Sequence, residues 1–172
     1  MAELDAIDME ILRLLQADGR MSNTELAQRV SLAPPTVLRR VKLLEEHGYI
    51  KGYTALLDPL AFGLTVTAFV FVETTAGCDL DAAIHDFREL PEVQEIHRLI
   101  GEWCMLLKVR TQNPQTLEDL VYRQLRHHPS VRRTQTVLAT SAAYETTRLS
   151  LPAPAEEAAG ERAARPARAR KE

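Results

Sequence analysis

The fold at the start of the chain is decided by the stretch Ser31-Leu-Ala-Pro-Pro-Thr-Val-Leu-Arg-Arg-Val-Lys-Leu-Leu-Glu-Glu-His-Gly48. Its two prolines predict a helix N-terminus, because the first helical turn does not use the backbone N–H that proline lacks. Its glycine predicts the left-handed cap at the other end. Between them Val37, Val41 and Leu44 recur at helical spacing, which predicts a helix with one apolar stripe.

The other side of this helix is basic. Residues 26–44 contain four cations and no carboxylate. An anchored helix that offers Thr36 and Arg39 from its first turns is suited to a DNA major groove. The alternative is an amphipathic helix with a solvated basic face, which is a common pattern.

Two earlier helices are predicted from their N-caps. Asp5 precedes the first, with Asp8 in its first turn, and both carboxylates favour the positive end of a helix. Ser22 and Glu25 form a capping-box pattern at the start of the second. Three successive helices with recognisable ends predict a helix-turn-helix unit. Residues 49–57, short and apolar with a central glycine, predict a small hairpin or wing.

The chain then changes to an alternation of strand and helix patterns. The predicted elements are a strand at 64–75, a helix at 80–90, strands at 93–100 and 104–109, a helix at 114–125 and a strand at 131–140. This order, β-α-β-β-α-β, is that of a ferredoxin-like sandwich. The predicted class is therefore α+β. Apolar residues such as Phe71 and Met105 fall on both sheet faces, so the face without helices is expected to pack on a second subunit.

Composition narrows the class of protein. The formal net charge is −3, so any nucleic-acid contact depends on a local patch. No apolar run is long enough to span a bilayer, no signal peptide is recognisable, and a cytoplasmic protein is expected. No metal or cofactor is expected, because Cys78 and Cys104 do not form a ligand cluster and the five histidines are scattered. Phosphate-loop and hydrolase motifs are missing, which argues against an enzyme.

Three regions are predicted from these patterns: a winged helix-turn-helix domain at residues 1–60, a ferredoxin-like domain at 61–151, and a disordered tail at 152–172. The tail is rich in Pro, Ala, Glu and Arg and has no aliphatic side chain larger than Ala. Such a composition buries too little apolar surface to order itself.

Several motifs resemble the Lrp/AsnC (feast/famine) transcription regulators. They are Leu4-Asp-Ala-Ile-Asp8, Leu15-Gln-Ala-Asp-Gly-Arg20, Glu25-Leu-Ala-Gln-Arg-Val30, Arg40-Val-Lys-Leu-Leu-Glu45, Gly48-Tyr-Ile-Lys-Gly-Tyr53 and Tyr144-Glu-Thr-Thr-Arg148. The resemblance covers residues 4–151. It implies a regulator that binds double-stranded DNA as a homodimer, often assembled to tetramers or octamers. It also implies tuning of DNA affinity or assembly by an amino acid or related small molecule.

The residues expected at the DNA are Ser22, Asn23, Pro34, Pro35, Thr36, Arg39, Arg40, Lys42 and Lys51. Among them Arg39 is expected to contact a guanine edge or a phosphate. The remaining cations are expected to contact phosphates, which position a protein without reading sequence.

The effector is expected at Gly101, Glu102, Trp103, Cys104, Thr134 and Thr136, by the same resemblance. Glu102 would hold an amino group and Trp103 would cover an apolar part of the ligand. The alternative is a turn glycine beside a tryptophan that only packs at a subunit seam.

Two positions depart from the family pattern. Ala33 stands where the family often has a capping serine, and Cys104 replaces the second carboxylate of a Gly-Asp-x-Asp loop. The smaller Cys104 favours an apolar or aromatic effector over a short polar one. The same loss keeps open an alternative function, an architectural DNA-binding protein that responds to no effector.

Overall fold

The computed structural model describes residues 4–152, which form two compact units. Residues up to Leu56 make the first unit together with a returning segment that begins at Thr146. The second unit runs from Leu57 to Glu145. The tail predicted at 152–172 lies outside the described residues, apart from Pro152. Within this described part, no helix is long and apolar enough to cross a membrane.

Three helices build the first unit: α1 (Ala6–Ala17), α2 (Asn23–Arg29) and α3 (Pro34–Glu46). Their shared core contains the predicted apolar stripe of α3. The buried residues are Ile11, Leu26, Ala27, Val37, Val41 and Leu44. The helix-turn-helix prediction is confirmed.

Both predicted N-caps form. The Asp8 N–H donates to the Asp5 carboxylate at 2.8 Å, and the Asp8 side chain accepts from the Asp5 N–H at 3.3 Å. Ser22 and Glu25 make the same reciprocal pair at α2. The Ser22 hydroxyl and N–H lower the pKa of Glu25, because both donate hydrogen bonds to its carboxylate. Each pair satisfies N–H groups that a helix leaves unpaired at its start.

The α2–α3 turn depends on a residue in the left-handed region. Ser31 has φ +55°, and the Leu32 N–H donates back to the Ala27 carbonyl at 3.0 Å. The end of α3 repeats this geometry at Gly48, where φ is +76° and the Tyr49 N–H reaches the Leu44 carbonyl at 2.9 Å. Such motifs satisfy free carbonyls at a helix end and turn the chain sharply.

The start of α3 explains why Ala33 can replace a capping serine. Ala33 supplies no side-chain cap. Pro34 and Pro35 have no N–H to satisfy, and the Thr36 N–H donates to the Ala33 carbonyl at 2.9 Å. The first turn therefore leaves few donors unpaired, and the missing hydroxyl costs less than it would at a helix without prolines.

Arg40 ties α3 to the start of α1. Its Nη1 lies 2.7 Å from Asp5 Oδ2 and 2.7 Å from Asp8 Oδ1, and its side chain is only 25% exposed. Burial opposes ionisation of Asp5, but the Asp8 N–H and Arg40 outweigh it, so the pKa of Asp5 lies below its usual value. The guanidinium therefore extends the capping box into a contact between two helices.

The hairpin expected over residues 49–57 is not present, since these residues contain no strand. Tyr53 instead donates its hydroxyl to Glu45 at 3.1 Å, while Leu56 and Leu57 are exposed. The physical reason is that a short two-stranded hairpin is at best marginally stable in water, and residues 51–57 are all exposed, so no buried face supports one here.

The second unit has the predicted β-α-β-β-α-β order. Its elements are β1 (Val66–Thr74), α4 (Leu80–Arg88), β2 (Val93–Arg98), β3 (Met105–Thr111), α5 (Pro114–Asp119) with a π-helical continuation (Leu120–Leu125), and β4 (Val131–Ala139). The sheet order is β2-β3-β1-β4, and every neighbouring pair is antiparallel. The ferredoxin-like prediction is confirmed.

Alternation along β1 separates the two faces of this sheet. Val70 and Val72 are fully buried and belong to the core that includes Phe87 of α4 and Leu120 of the π-helical segment. The residue between them, Phe71, points to the opposite face, because successive strand side chains alternate. We call that opposite side the open face.

The Arg40 contact leads to a stability prediction. Replacing Arg40 with Met should lower the free energy of unfolding of the first unit by about 1–2 kcal/mol, because it leaves a half-buried aspartate pair without its cation. Urea titration followed by helical circular dichroism measures this. The neighbouring Arg39→Met is the matched control, and an equal loss in both variants would contradict the assignment.

Candidate nucleic-acid interface and effector site

The outer face of α3 is a cationic surface. Pro34, Pro35, Thr36, Arg39 and Lys42 are all exposed. Among the described residues neither Arg39 nor Lys42 makes an ion pair with a carboxylate. Fixed cations on a helix anchored by its opposite face suit contact with phosphates and base edges.

Three other residues expected at DNA already have partners or are less accessible. The Ser22 hydroxyl donates to Glu25 at 2.7 Å, Asn23 is half-buried, and Arg40 is held by two aspartates. A phosphate would have to compete with these contacts. Lys51 is exposed.

The structure adds Arg29, which is exposed at the end of α2 and makes no ion pair in the described chain. The run without carboxylates from residue 26 to 44 was the signal that could have found it.

The β2–β3 loop carries the predicted effector residues 101–104. Gly101 has φ +142°, a conformation that side chains rarely adopt, although a Cβ there would meet no atom within 4 Å. Glycine is therefore favoured at this position by the backbone conformation, and not by a close approach of neighbouring protein atoms. The Cys104 thiol accepts a hydrogen bond from the Thr74 hydroxyl at 3.2 Å and packs against the core.

Glu102 is paired within the chain. Arg133 of β4 donates from Nη2 to Glu102 Oε1 at 2.5 Å and also bonds Glu73. The same guanidinium lies 4.3 Å from the ring centroid of Trp103, which contacts Phe71 at 5.9 Å between centroids. Arg133 is the main cause of a lowered pKa of Glu73, through its hydrogen bond. A ligand ammonium at Glu102 would have to replace this cation.

Sequence reasoning missed Arg133. No short-range signal identifies it, because the residue lies 31 positions from Glu102 and meets it only after β4 pairs with β1.

Thr134 and Thr136 lie on the other face of the sheet. They are paired with Val72 and Val70, the residues buried against the helices. Within one chain the two threonines and the loop therefore do not share a cavity. The threonines line an open pocket of about 290 Å³, which we call the β4 pocket. Its other lining residues are Pro114, Leu117, Glu118, Val121, Tyr122 and Arg126.

The β4 pocket combines an apolar floor with opposite charges. Glu118 and Arg126 are exposed at its rim, and neither makes an ion pair within residues 4–152. The Arg126 N–H donates to the Val121 carbonyl five residues earlier, at 2.9 Å, and its guanidinium lies 4.8 Å from the Tyr122 ring centroid. This wider π-type turn places the cation over the ring, and such turns are frequent at functional sites. No local sequence pattern predicts the β4 pocket, because Thr134 and Thr136 reach it only through the pairing of β4 with β1.

Acidic and basic side chains also meet on the open face. Glu145 lies 2.6 Å from Lys108 Nζ and 2.5 Å from Arg110 Nη2. The hydrogen bond from Lys108, supported by that from Arg110, outweighs burial and lowers the pKa of Glu145. No cluster of His, Cys, Asp or Glu in the described part of the chain could hold a metal ion.

The Glu145 contacts predict an acid-dependent stability. Because its pKa is lowered by folding, its contribution is present above the ordinary carboxyl range and is lost as the pH falls through the folded value. Glu145→Gln should therefore lower the stability of the second unit at pH 7, with the difference from wild type shrinking on acidification.

Urea titration followed by the single tryptophan, Trp103, measures this at each pH. Glu118→Gln serves as the matched control, since that carboxylate has no ion pair in the described structure. A difference that stays constant with pH would exclude the ion pair as its source.

Two family descriptions match the chain. Residues 4–51 match winged helix-turn-helix DNA-binding domains, and residues 67–149 match the Lrp/AsnC ligand binding domain. The leucine-responsive regulatory protein of Escherichia coli strain K12 is 38% identical over 151 residues, which cover 86% of this chain and 91% of that protein.

Solved structures agree. A transcriptional regulator of Neisseria meningitidis in complex with L-Met is 35% identical with a TM-score of 0.78, covering 87% of this chain and 97% of that one. The leucine response regulatory protein of Mycobacterium tuberculosis is 34% identical with a TM-score of 0.75, covering 83% and 96%. The chain is therefore a member of the Lrp/AsnC family of DNA-binding transcriptional regulators, with a ligand-binding domain and no enzymatic role.

Proposed function

We propose that this regulator reads double-stranded DNA with the outer face of α3. The observation that carries the proposal is the pair of exposed cations, Arg39 and Lys42, on a helix fixed by its apolar stripe. Arg39 supplies base or phosphate contacts next to Pro35 and Thr36. Lys42 and Lys51, with Arg29, bind phosphates.

Arg40 belongs to the scaffold of this interface more than to the contact itself. Its bonds to Asp5 and Asp8 orient α3 relative to α1. Ser22 and Asn23 act at the start of α2 in the same way, with the Ser22 hydroxyl already used as a cap.

The proposed effector is a free amino acid or a related metabolite with an apolar side chain. The N. meningitidis relative was solved with L-Met, and the β4 pocket offers complementary chemistry here. Glu118 suits an ammonium group, Arg126 suits a carboxylate, and Thr134 and Thr136 add hydroxyls. Leu117 and Val121 provide the apolar contact.

The loop of residues 101–104 has a second role in this proposal. With Glu102 held by Arg133, it forms a cluster beside Trp103 in which a cationic ligand would have to replace the guanidinium.

We also propose a homodimer formed through the open face, assembling to tetramers or octamers in the cytoplasm. Phe69, Phe71 and Leu106 support this, because they are only half-buried on that face and a second subunit would cover them.

Two observations favour the alternative of an effector-independent architectural DNA protein. Glu102 is neutralised by Arg133, and Cys104 bonds Thr74 where the family has a second carboxylate.

The DNA proposal predicts distinct losses for two variants. On a duplex selected from a random pool by the wild-type chain, Arg39→Ala should weaken binding by about 1–3 kcal/mol and relax base preference. Lys42→Ala should weaken selected and scrambled duplexes alike and reduce the salt dependence. Fluorescence anisotropy at fixed salt measures both. Arg88→Ala in the second unit is the control, and unchanged binding by Arg39→Ala would remove it from the interface.

The effector proposal is tested by calorimetry with a panel of free amino acids that includes L-methionine. Arg126→Gln and Thr134→Val should each reduce the affinity at least several-fold, because each removes a polar ligand contact. Arg123→Gln, on the same helical segment but outside the pocket, is the matched control.

Glu102→Ala separates the two candidate sites. A loss confined to this variant would assign the effector to the loop and reject the β4 pocket. Binding of no amino acid by the wild type would support the architectural alternative.

A further inference from the structure

The returning segment that follows Glu145 binds the outer side of α1 through its backbone. The Leu149 N–H donates to Gln16 Oε1 at 2.7 Å, and Gln16 Nε2 donates to the Leu149 carbonyl at 3.2 Å. Three residues earlier on α1, Arg13 Nη2 donates to the Pro152 carbonyl at 3.0 Å. Two side chains on one helix face thus hold an extended segment.

The contact is directed at main-chain groups. A carboxamide can accept and donate at the same time, so Gln16 imitates the pairing that a neighbouring strand would give Leu149. The Leu149 side chain stays 72% exposed, which shows that its burial does not drive the docking. Exposed hydrogen bonds add little net stability because water competes for them. The segment is therefore held specifically and can be released.

Glu145, which directly precedes this segment, is held separately by contacts within the second unit. Glu145 bonds Lys108 and Arg110 of β3. Only residues 146–148 lie between this ionic anchor and the Gln16 contact. The chain passes from the first unit to the second near Leu57 and returns after Glu145, so it connects the units twice.

We propose that residues 146–152 are a releasable latch, an extended segment docked on Arg13 and Gln16 within the first unit and continuous in sequence with the Glu145 anchor. This inference concerns docking within the chain and holds whether or not an effector binds at the β4 pocket.

Tryptic cleavage after Arg148 reports the docked state, because a protease must bind the backbone groups that Gln16 occupies. In the full chain, Gln16→Ala should raise the rate of cleavage at Arg148 several-fold relative to cleavage at Lys42, which lies within α3 of the same unit. Taking this ratio removes any general effect of lower stability. Gln28→Ala, the same amide on α2, should leave the ratio unchanged.

Two more variants test the details. Gln16→Glu keeps the acceptor for the Leu149 N–H but loses the donor, and should also raise the ratio. Glu145→Gln should also raise the cleavage ratio, because it loosens the ionic anchor that precedes residues 146–148. A wild-type ratio in Gln16→Ala would overturn the latch, and a wild-type ratio in Glu145→Gln alone would overturn its second anchor.

Hydrogen exchange gives an independent measurement. In the full chain, Gln16→Ala should show faster exchange of the Leu149 amide than the wild type, since this N–H then loses its acceptor. Equal exchange in the two proteins would contradict docking on α1.

Discussion

The arrangement of the second unit depends on the alternation of side chains along β1, its central strand. Val70 and Val72 must face the helices to be buried, and this places Phe71 and Glu73 on the open face. A slip of one residue would expose the whole apolar row, so the register is strongly fixed. Because β3 and β4 pair with β1, the register with β1 determines which face of the sheet each of their side chains occupies.

This register places the candidate effector residues on two different faces of the sheet. Thr134 pairs with Val72 and lines the β4 pocket, whereas its neighbour Arg133 pairs with Glu73 and reaches Glu102. Two adjacent residues of one strand therefore serve different surfaces. The β4 pocket and the cluster of Glu102, Trp103 and Arg133 therefore adjoin the same short piece of β4.

In the first unit, adjacent positions on α3 are divided in the same way. Arg39 is exposed and makes no ion pair in the described chain, while Arg40 is one helical step away and bridges Asp5 and Asp8. A rotation of about 100° per residue separates a cation that stabilises the helix packing from one that can meet DNA. The paired prolines at the start of α3 support the same division, because they satisfy the first turn without a polar cap and leave Thr36 exposed.

The sequence by itself determined the order of the elements, the capping boxes at Asp5 and Ser22, the apolar stripe of α3 and the family. These follow from contacts among residues within about four positions, or from motifs that a chain displays before it folds. The tertiary structure alone decided that Arg40 is bound by aspartates, that Arg133 neutralises Glu102, and that Thr134 and Thr136 face a pocket with Glu118 and Arg126. It also removed the hairpin expected at residues 49–57. Arg40 and Arg133 lie more than 30 positions from these partners. All three arrangements depend on helix packing or strand register, which local patterns do not encode.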